Sequence, residues 1–329
     1  MGAGGFEEGR PAITNGDKLD ITRLVKPHQV FEVHASHAAN AEDADTKWCR
    51  HRKAERVYPS KTLARDYNGA TLGLYFAIAF AITWTLFITV ATRVPAETVA
   101  GQLLILGGAA SPAIAATLLT WWKDGAQAVH ALLRRILMTD VPGRYYAFAL
   151  FYIAAIKLTA AILHRVALGV WPTISIDALL VAPFAIALSV PVQAGEEIGW
   201  RGYALPRLAD RFGLPGASLL LGVIWAAWHI PQFYIAGGDS YHQSFLVWAT
   251  QVVAMSVAFA WLYARTGGSL LLVMLLHAAV NNTKDIVPSP LAEPRGVFSL
   301  HASAVSWLTL VLLWMSALYL LRRMPRTVQ

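Results

Sequence analysis

Eight stretches of this chain are apolar for long enough to cross a bilayer, and that repetition limits the fold more than any motif does. They cover about 70–92, 98–122, 145–169, 176–204, 215–235, 244–265, 268–284 and 301–321. A spanning helix needs ~20 mostly apolar residues, because the hydrocarbon core is ~30 Å thick and a helix rises ~1.5 Å per residue. The expected fold is therefore all-α, a polytopic transmembrane helical bundle of about eight spans. Composition agrees: 56% of the 329 residues are hydrophobic and 14% are charged, too few charges to coat two soluble domains. The mean hydropathy of +0.47 excludes a disordered, collagenous or coiled-coil chain as the main architecture. The single cysteine, Cys49, excludes an intrachain disulfide framework and reads as a free thiol.

Residues 1–68 are polar and of mixed charge, without a sustained helical or strand period. They read as a cytoplasmic, disordered tail, and 69–329 as the transmembrane catalytic domain. No secretory signal or myristoylation pattern opens the chain. The tail ends in a basic block (Lys47, Arg50, Arg52, Lys53, Arg56, Lys61, Arg65) that belongs on the cytoplasmic side. Counting spans from there, the inner loops hold Lys123, Arg134, Arg135 and Arg144, then Arg207 and Arg211, then Arg265, then Arg322, Arg323 and Arg326. The outer loops are poorer in bases, with Arg165 the residue against the trend, so both termini are expected in the cytoplasm. The net charge of +7 thus serves orientation and contact with a lipid bilayer, and no nucleic-acid partner is expected. The chain reads as an integral membrane protein, of the plasma membrane. Segment 124–141 fits either an amphipathic helix on the inner surface or a packed connector.

Ionisable groups within spans are costly, and each is a functional candidate. The first cluster is Gly195-Glu196-Glu197-Ile198-Gly199-Trp200-Arg201-Gly202. Glu197 and Arg201 are four apart and share a helix face, so they can pair. Glu196 lies about 100° round the helix and is left for proton chemistry. A cytoplasmic helix end with solvated charges is the bland alternative. The second is Trp225-Ala226-Ala227-Trp228-His229, where a lone histidine is as readily a packing residue. The third is His277-Ala278-Ala279-Val280-Asn281, whose His and Asn face one way and could simply bond across helices. Together, a carboxylate, two imidazoles and a carboxamide are the parts needed to activate water and stabilise an oxyanion. No Ser, Cys or Thr is placed as nucleophile, so water attack is the simplest scheme.

Glu196-Glu197-x-x-x-Arg201, an aromatic residue four before His229, and His277-x-x-x-Asn281 resemble the three motifs of the CAAX prenyl endopeptidase and bacteriocin-processing (CPBP) family. The likeness covers about 145–284, and departs from the family where Trp225 stands in place of the usual Phe. It implies an intramembrane endopeptidase acting on a peptide or protein substrate in or at the membrane. By analogy Glu196 is the general base on water, His229 orients that water, His277 and Asn281 stabilise the oxyanion, and Glu197, Arg201 and Trp225 support the site. No cofactor is expected; the alternative is zinc held by Glu196, His229 and His277 as a His₂Glu set. Two other functions fit intramembrane Glu and His: a proton-coupled transporter, against which no inverted repeat is visible, and a non-catalytic immunity or binding member of the family. Lys157, midway along the third span, is expected to pair with Asp177, Glu196 or Glu197, or to snorkel.

Overall fold

The computed structural model describes residues 69–241, 243–289 and 296–325, and every regular element among them is helical. The tail over 1–68, its boundary and Cys49 lie outside the described residues. The helices are α1 (Gly69–Thr92), α2 (Val99–Asp124), α3 (Ala126–Leu133), α4 (Gly143–Leu168), α5 (Ile176–Ser189), α6 (Ala194–Glu197), α7 (Leu205–Trp228), α8 (Phe245–Arg265), α9 (Leu270–Thr283) and α10 (Ala304–Arg323). Six helical stretches are long and apolar enough to cross a membrane: α1, α2, α4, the merged run Ala194–Tyr234, α8 and α10. The protein is an integral membrane protein.

Serine and threonine side chains set several helix starts. Thr98, Ser175, Ser244, Ser269 and Ser303 each accept an N–H from the first turn of the helix they precede, filling donors that a helix leaves unpaired. Gly267 and Gly268 take φ of 64° and 87° before Ser269, as a Gly-Gly-Ser stop and restart predicts.

The stretch expected as one span over 176–204 is two pieces. α5 ends at Ser189, and a turn around Pro191 separates it from α6. The ring of Pro191 cannot continue the helical ladder, whereas Pro183 is absorbed within α5. After α6 the backbone widens into a π-helix over Ile198–Ala204. A π-turn inserts an extra residue per turn and is common at functional sites. The helix then runs into α7 until Gly213, whose φ of 68° and ψ of 159° are non-helical. The chain must reverse there. Glu196 and Trp225 are 29 residues apart yet hydrogen-bonded, whereas a straight helix would separate them by about 43 Å.

α2 packs closely on this hairpin because the hairpin face is glycine. A Cβ on Gly199 would lie 2.5 Å from the Pro112 backbone carbon and from the Tyr75 hydroxyl, and one on Gly195 would lie 3.0 Å from the Ala109 carbonyl oxygen. Small residues at four-residue spacing permit such approach where lipid supplies no hydrophobic drive between helices.

The connector 124–141 is packed rather than laid on the surface alone. Leu132 and Arg135 are buried. Arg135 Nε donates to the Gly268 carbonyl at 3.1 Å, and Ser269 Oγ donates to the Met138 carbonyl at 2.8 Å. At the same end Arg265 reaches the Arg323 carbonyl at 3.1 Å. The opposite end gathers Ser175 with Ile286 and Phe245 with Val297 through backbone bonds. Lys157 turns away from the acidic cluster, its ammonium donating to Ser289 Oγ at 2.6 Å. No pairing with Asp177, Glu196 or Glu197 forms, because the side chain points toward the 284–289 segment.

Candidate active site

Glu196 and Glu197 are neighbours in sequence with different partners. Glu197 is fully buried, and its Oε1 accepts from Arg201 Nη1 at 2.8 Å and from His277 Nδ1 at 2.7 Å. Arg201 is also fully buried. Its guanidinium carbon lies 4.2 Å from the Trp225 ring and 4.3 Å from the Phe259 ring, so aromatic faces meet much of the charge. Among the described residues the Arg201 Nε and Nη2 groups have no hydrogen-bond partner, and Glu197 is the anion bonded to this cation.

Glu196 stands outside that pair, as the helical angle between the two glutamates predicts. Its Oε2 accepts from Trp225 Nε1 at 2.8 Å. Trp225 therefore does more than pack: the indole N–H fixes one carboxylate oxygen of Glu196 and leaves Oε1 free. Counting Trp225 only as support in place of the usual Phe leaves out the donor that tryptophan carries and phenylalanine lacks. The pairing of an indole with an intramembrane carboxylate was the signal available.

Trp225 is the hub of the site. Its carbonyl meets His229 Nδ1 at 2.7 Å, and its ring lies 5.5 Å from both the His229 and His277 rings. His229 is further walled by Trp228 at 4.6 Å and Trp248 at 5.0 Å, and Phe259 lies 5.6 Å from His277. Phe259 and Trp248, on α8, were not singled out from the sequence. Their spacing looked like ordinary core. The structure thus brings Glu196, Glu197, Arg201, Trp225, His229 and His277 into one buried group. Asn281 stands apart from it at the rim: it is exposed, and its amide reaches Gln193 Oε1 at a long 3.5 Å.

These bonds fix one ring proton on each histidine. His229 donates Nδ1–H to a carbonyl, so its Nε2 offers a lone pair. His277 donates Nδ1–H to Glu197. Neither a hydrogen bond nor an ion pair joins Glu196 to either imidazole among the described residues. No group of three His, Cys, Asp or Glu side chains among the described residues is arranged to hold a metal ion. Glu196 Oε2 and both Nδ1 atoms are turned to protein partners.

Comparison with known proteins points the same way. Residues 177–283 match the family model described as type II CAAX prenyl endopeptidase Rce1-like. The chain is 26% identical over 243 residues to a protein of Methanococcus maripaludis named CAAX prenyl protease 2, an alignment covering 65% of this chain and 84% of that protein.

Proposed function

We propose, from the likeness of residues 177–283 to the type II CAAX prenyl endopeptidase Rce1-like family, that this protein is a membrane protease that hydrolyses a peptide bond with water activated by Glu196. The observation that carries the reading is the division of labour between the two glutamates. Glu197 is occupied by Arg201 and His277, whereas Glu196 keeps Oε1 free beside two imidazoles.

In this scheme water sits between Glu196 Oε1 and the lone pair of His229 Nε2, donating one hydrogen to each. Glu196 takes its proton as the oxygen electron pair attacks the carbonyl carbon. The oxyanion that forms meets His277 Nε2–H, with Asn281 at the rim as second donor. Because Nδ1 of His277 is given to Glu197, donation from Nε2 requires the imidazolium, and Glu197 supplies its counter-ion. Two carboxylates, Arg201 and this imidazolium then sum to zero charge, which a buried site needs. Collapse of the intermediate breaks the C–N bond, and the proton held by Glu196 passes to the leaving nitrogen. No step is routed through a metal.

The substrate is proposed to be a membrane-associated peptide, prenylated and CAAX-like or a leader segment, reaching the site from the bilayer. The bundle is proposed to cross eight times, counting the two limbs of the Gly213 hairpin, α5 with the first limb, and the short α9, with both termini in the cytoplasm of a plasma membrane.

Glu196→Gln tests the reading. The full chain in detergent, given a fluorogenic farnesylated CAAX-type peptide, should lose cleavage while keeping its melting temperature. Cleavage at the parental rate would remove Glu196 from the chemistry. Full biological activity without cleavage would instead favour a binding or immunity role.

A further inference from the structure

Two bonds from α1 converge on Trp228, the residue before His229, and each fills a gap that a proline creates. The first begins at Pro112 in α2. A proline has no N–H, so the carbonyl four residues earlier, on Gly108, loses its helical partner. Thr83 Oγ1 donates to that carbonyl at 2.8 Å. The same oxygen accepts the indole N–H of Trp228 at 2.8 Å and lies 2.5 Å from Ser111 Oγ. Ser111 Oγ also reaches the Ala79 carbonyl at 2.9 Å, so the two hydroxyl hydrogens serve the Gly108 carbonyl, the Ala79 carbonyl and the contact between the hydroxyls, and a lone pair of Thr83 receives the indole. Thr83 and Ser111 are fully buried, as is Trp228. The second bond begins at Pro231. The Trp228 carbonyl lies at a helix end, Pro231 has no N–H to give it, and the Gln232 N–H goes to His229 instead. Trp84 Nε1 donates to the Trp228 carbonyl at 3.2 Å.

Side chain and carbonyl of Trp228 are thus held by consecutive residues of a helix that lies outside the stretch matching the family model. The Trp228 ring in turn stands edge-on to the His229 ring, 4.6 Å away with planes at 88°, so the imidazole cannot tilt without moving it. We propose that Thr83 and Trp84 are positioning residues for His229, acting through Trp228, with Pro112 and Ser111 ordering the hydroxyl network behind them. The inference rests on the reading of His229 as the group that orients water.

Kinetics of the detergent-solubilised full chain on the farnesylated CAAX-type peptide test it, with His229→Gln as reference. Thr83→Val keeps the shape and removes both bonding roles. It should lower kcat by roughly 10- to 100-fold, the scale of a small misplacement of a reacting group, with KM within about twofold. Thr83→Ser, which keeps the hydroxyl, should retain parental kcat. Trp84→Phe, at a partly buried bond that the fold tolerates losing, should lower kcat alone by several-fold. Thr83→Val combined with Trp228→Phe removes both partners, which relieves the orphaned donor. Its melting temperature should recover toward parental while kcat stays low. If kcat recovers with stability, or if His229→Gln is inactive while Thr83→Val and Trp84→Phe both turn over at the parental rate, the clamp is overturned and the site reading stands. If His229→Gln itself turns over normally, the site reading fails and takes the clamp with it.

Discussion

Replacing Glu197 by Gln should destabilise this protein far more than the same change at its neighbour Glu196. Glu197 and Arg201 are both fully buried and 2.8 Å apart, and the same carboxylate oxygen takes the His277 Nδ1–H at 2.7 Å. Glutamine keeps the shape and removes the charge, leaving a guanidinium with two unpartnered nitrogens and no bonded anion. Breaking a buried pair from one side costs about 3–5 kcal/mol. At roughly 2–4 °C per kcal/mol for a domain of this size, the melting temperature should fall by about 6–20 °C. Glu196→Gln is the control. It is bonded to an indole rather than to Arg201, and it should cost no more than about 1 kcal/mol. Glu197→Gln combined with Arg201→Met removes both charges and should recover most of the loss, since a buried pair is often replaced by apolar groups at little net cost. Activity should not recover, because the glutamine amide oxygen can accept from His277 Nδ1–H but supplies no counter-ion for an imidazolium. The assay is thermal unfolding in detergent, followed by intrinsic tryptophan fluorescence. A Glu197→Gln protein that melts within about 2 °C of the parent would mean less than ~1 kcal/mol of loss, and the buried-charge argument would be wrong.

Three further outcomes follow from the same coordinates. Trp225→Phe deletes the indole donor to Glu196 while keeping a ring beside Arg201, and should lower kcat by about tenfold, the worth of one hydrogen bond to a charged group, with little change in melting temperature. Gly199→Val would drive a side chain into the Pro112 backbone 2.5 Å away and should abolish the folded yield, read as loss of the monodisperse peak in size-exclusion chromatography. Cleavage should survive prolonged treatment with EDTA or 1,10-phenanthroline; loss of turnover that added zinc restores would revive the zinc set.

The sequence made the helical bundle legible because lipid imposes one length and one composition on every crossing. It also separated the two glutamates, since a spacing of four residues is a geometric fact about helices. Other features were hidden for physical reasons. The break between Ser189 and Ala194 falls at Pro191, a residue that marks a kink in the sequence, yet Pro183 carries the same mark and is absorbed within α5, so the sequence does not say which proline ends the helix. The π-helix over Ile198–Ala204 leaves no compositional mark. Thr83 and Ser111 resembled ordinary hydroxyls in a span, which commonly bond their own helix; only the fold shows Thr83 serving another helix and an indole. Asn281 was placed on the face of His277 by its spacing, and the short α9 ends too soon to bury it.

The acidic motif, which holds an ion pair and a separately bonded carboxylate in adjacent positions, runs directly into the π-helix over Ile198–Ala204. An α-helix would turn Arg201 by four steps of about 100° from Glu197 and continue with no change of register. Widening the ladder after Glu197 shifts the register of every later residue relative to α6. The Arg201 side chain can then lie between Trp225 and Phe259 while still reaching Glu197. The glycines at 199 and 202 make that wider turn packable, because Gly199 faces Pro112 and Gly202 faces Leu132, where a Cβ would fall 2.9 Å from the leucine methyl. The acid, the cation and the glycines are therefore one device. Glycine lets the backbone pack against α2, Arg201 lies between two rings and pairs with Glu197, and Glu196 is left to the Trp225 indole.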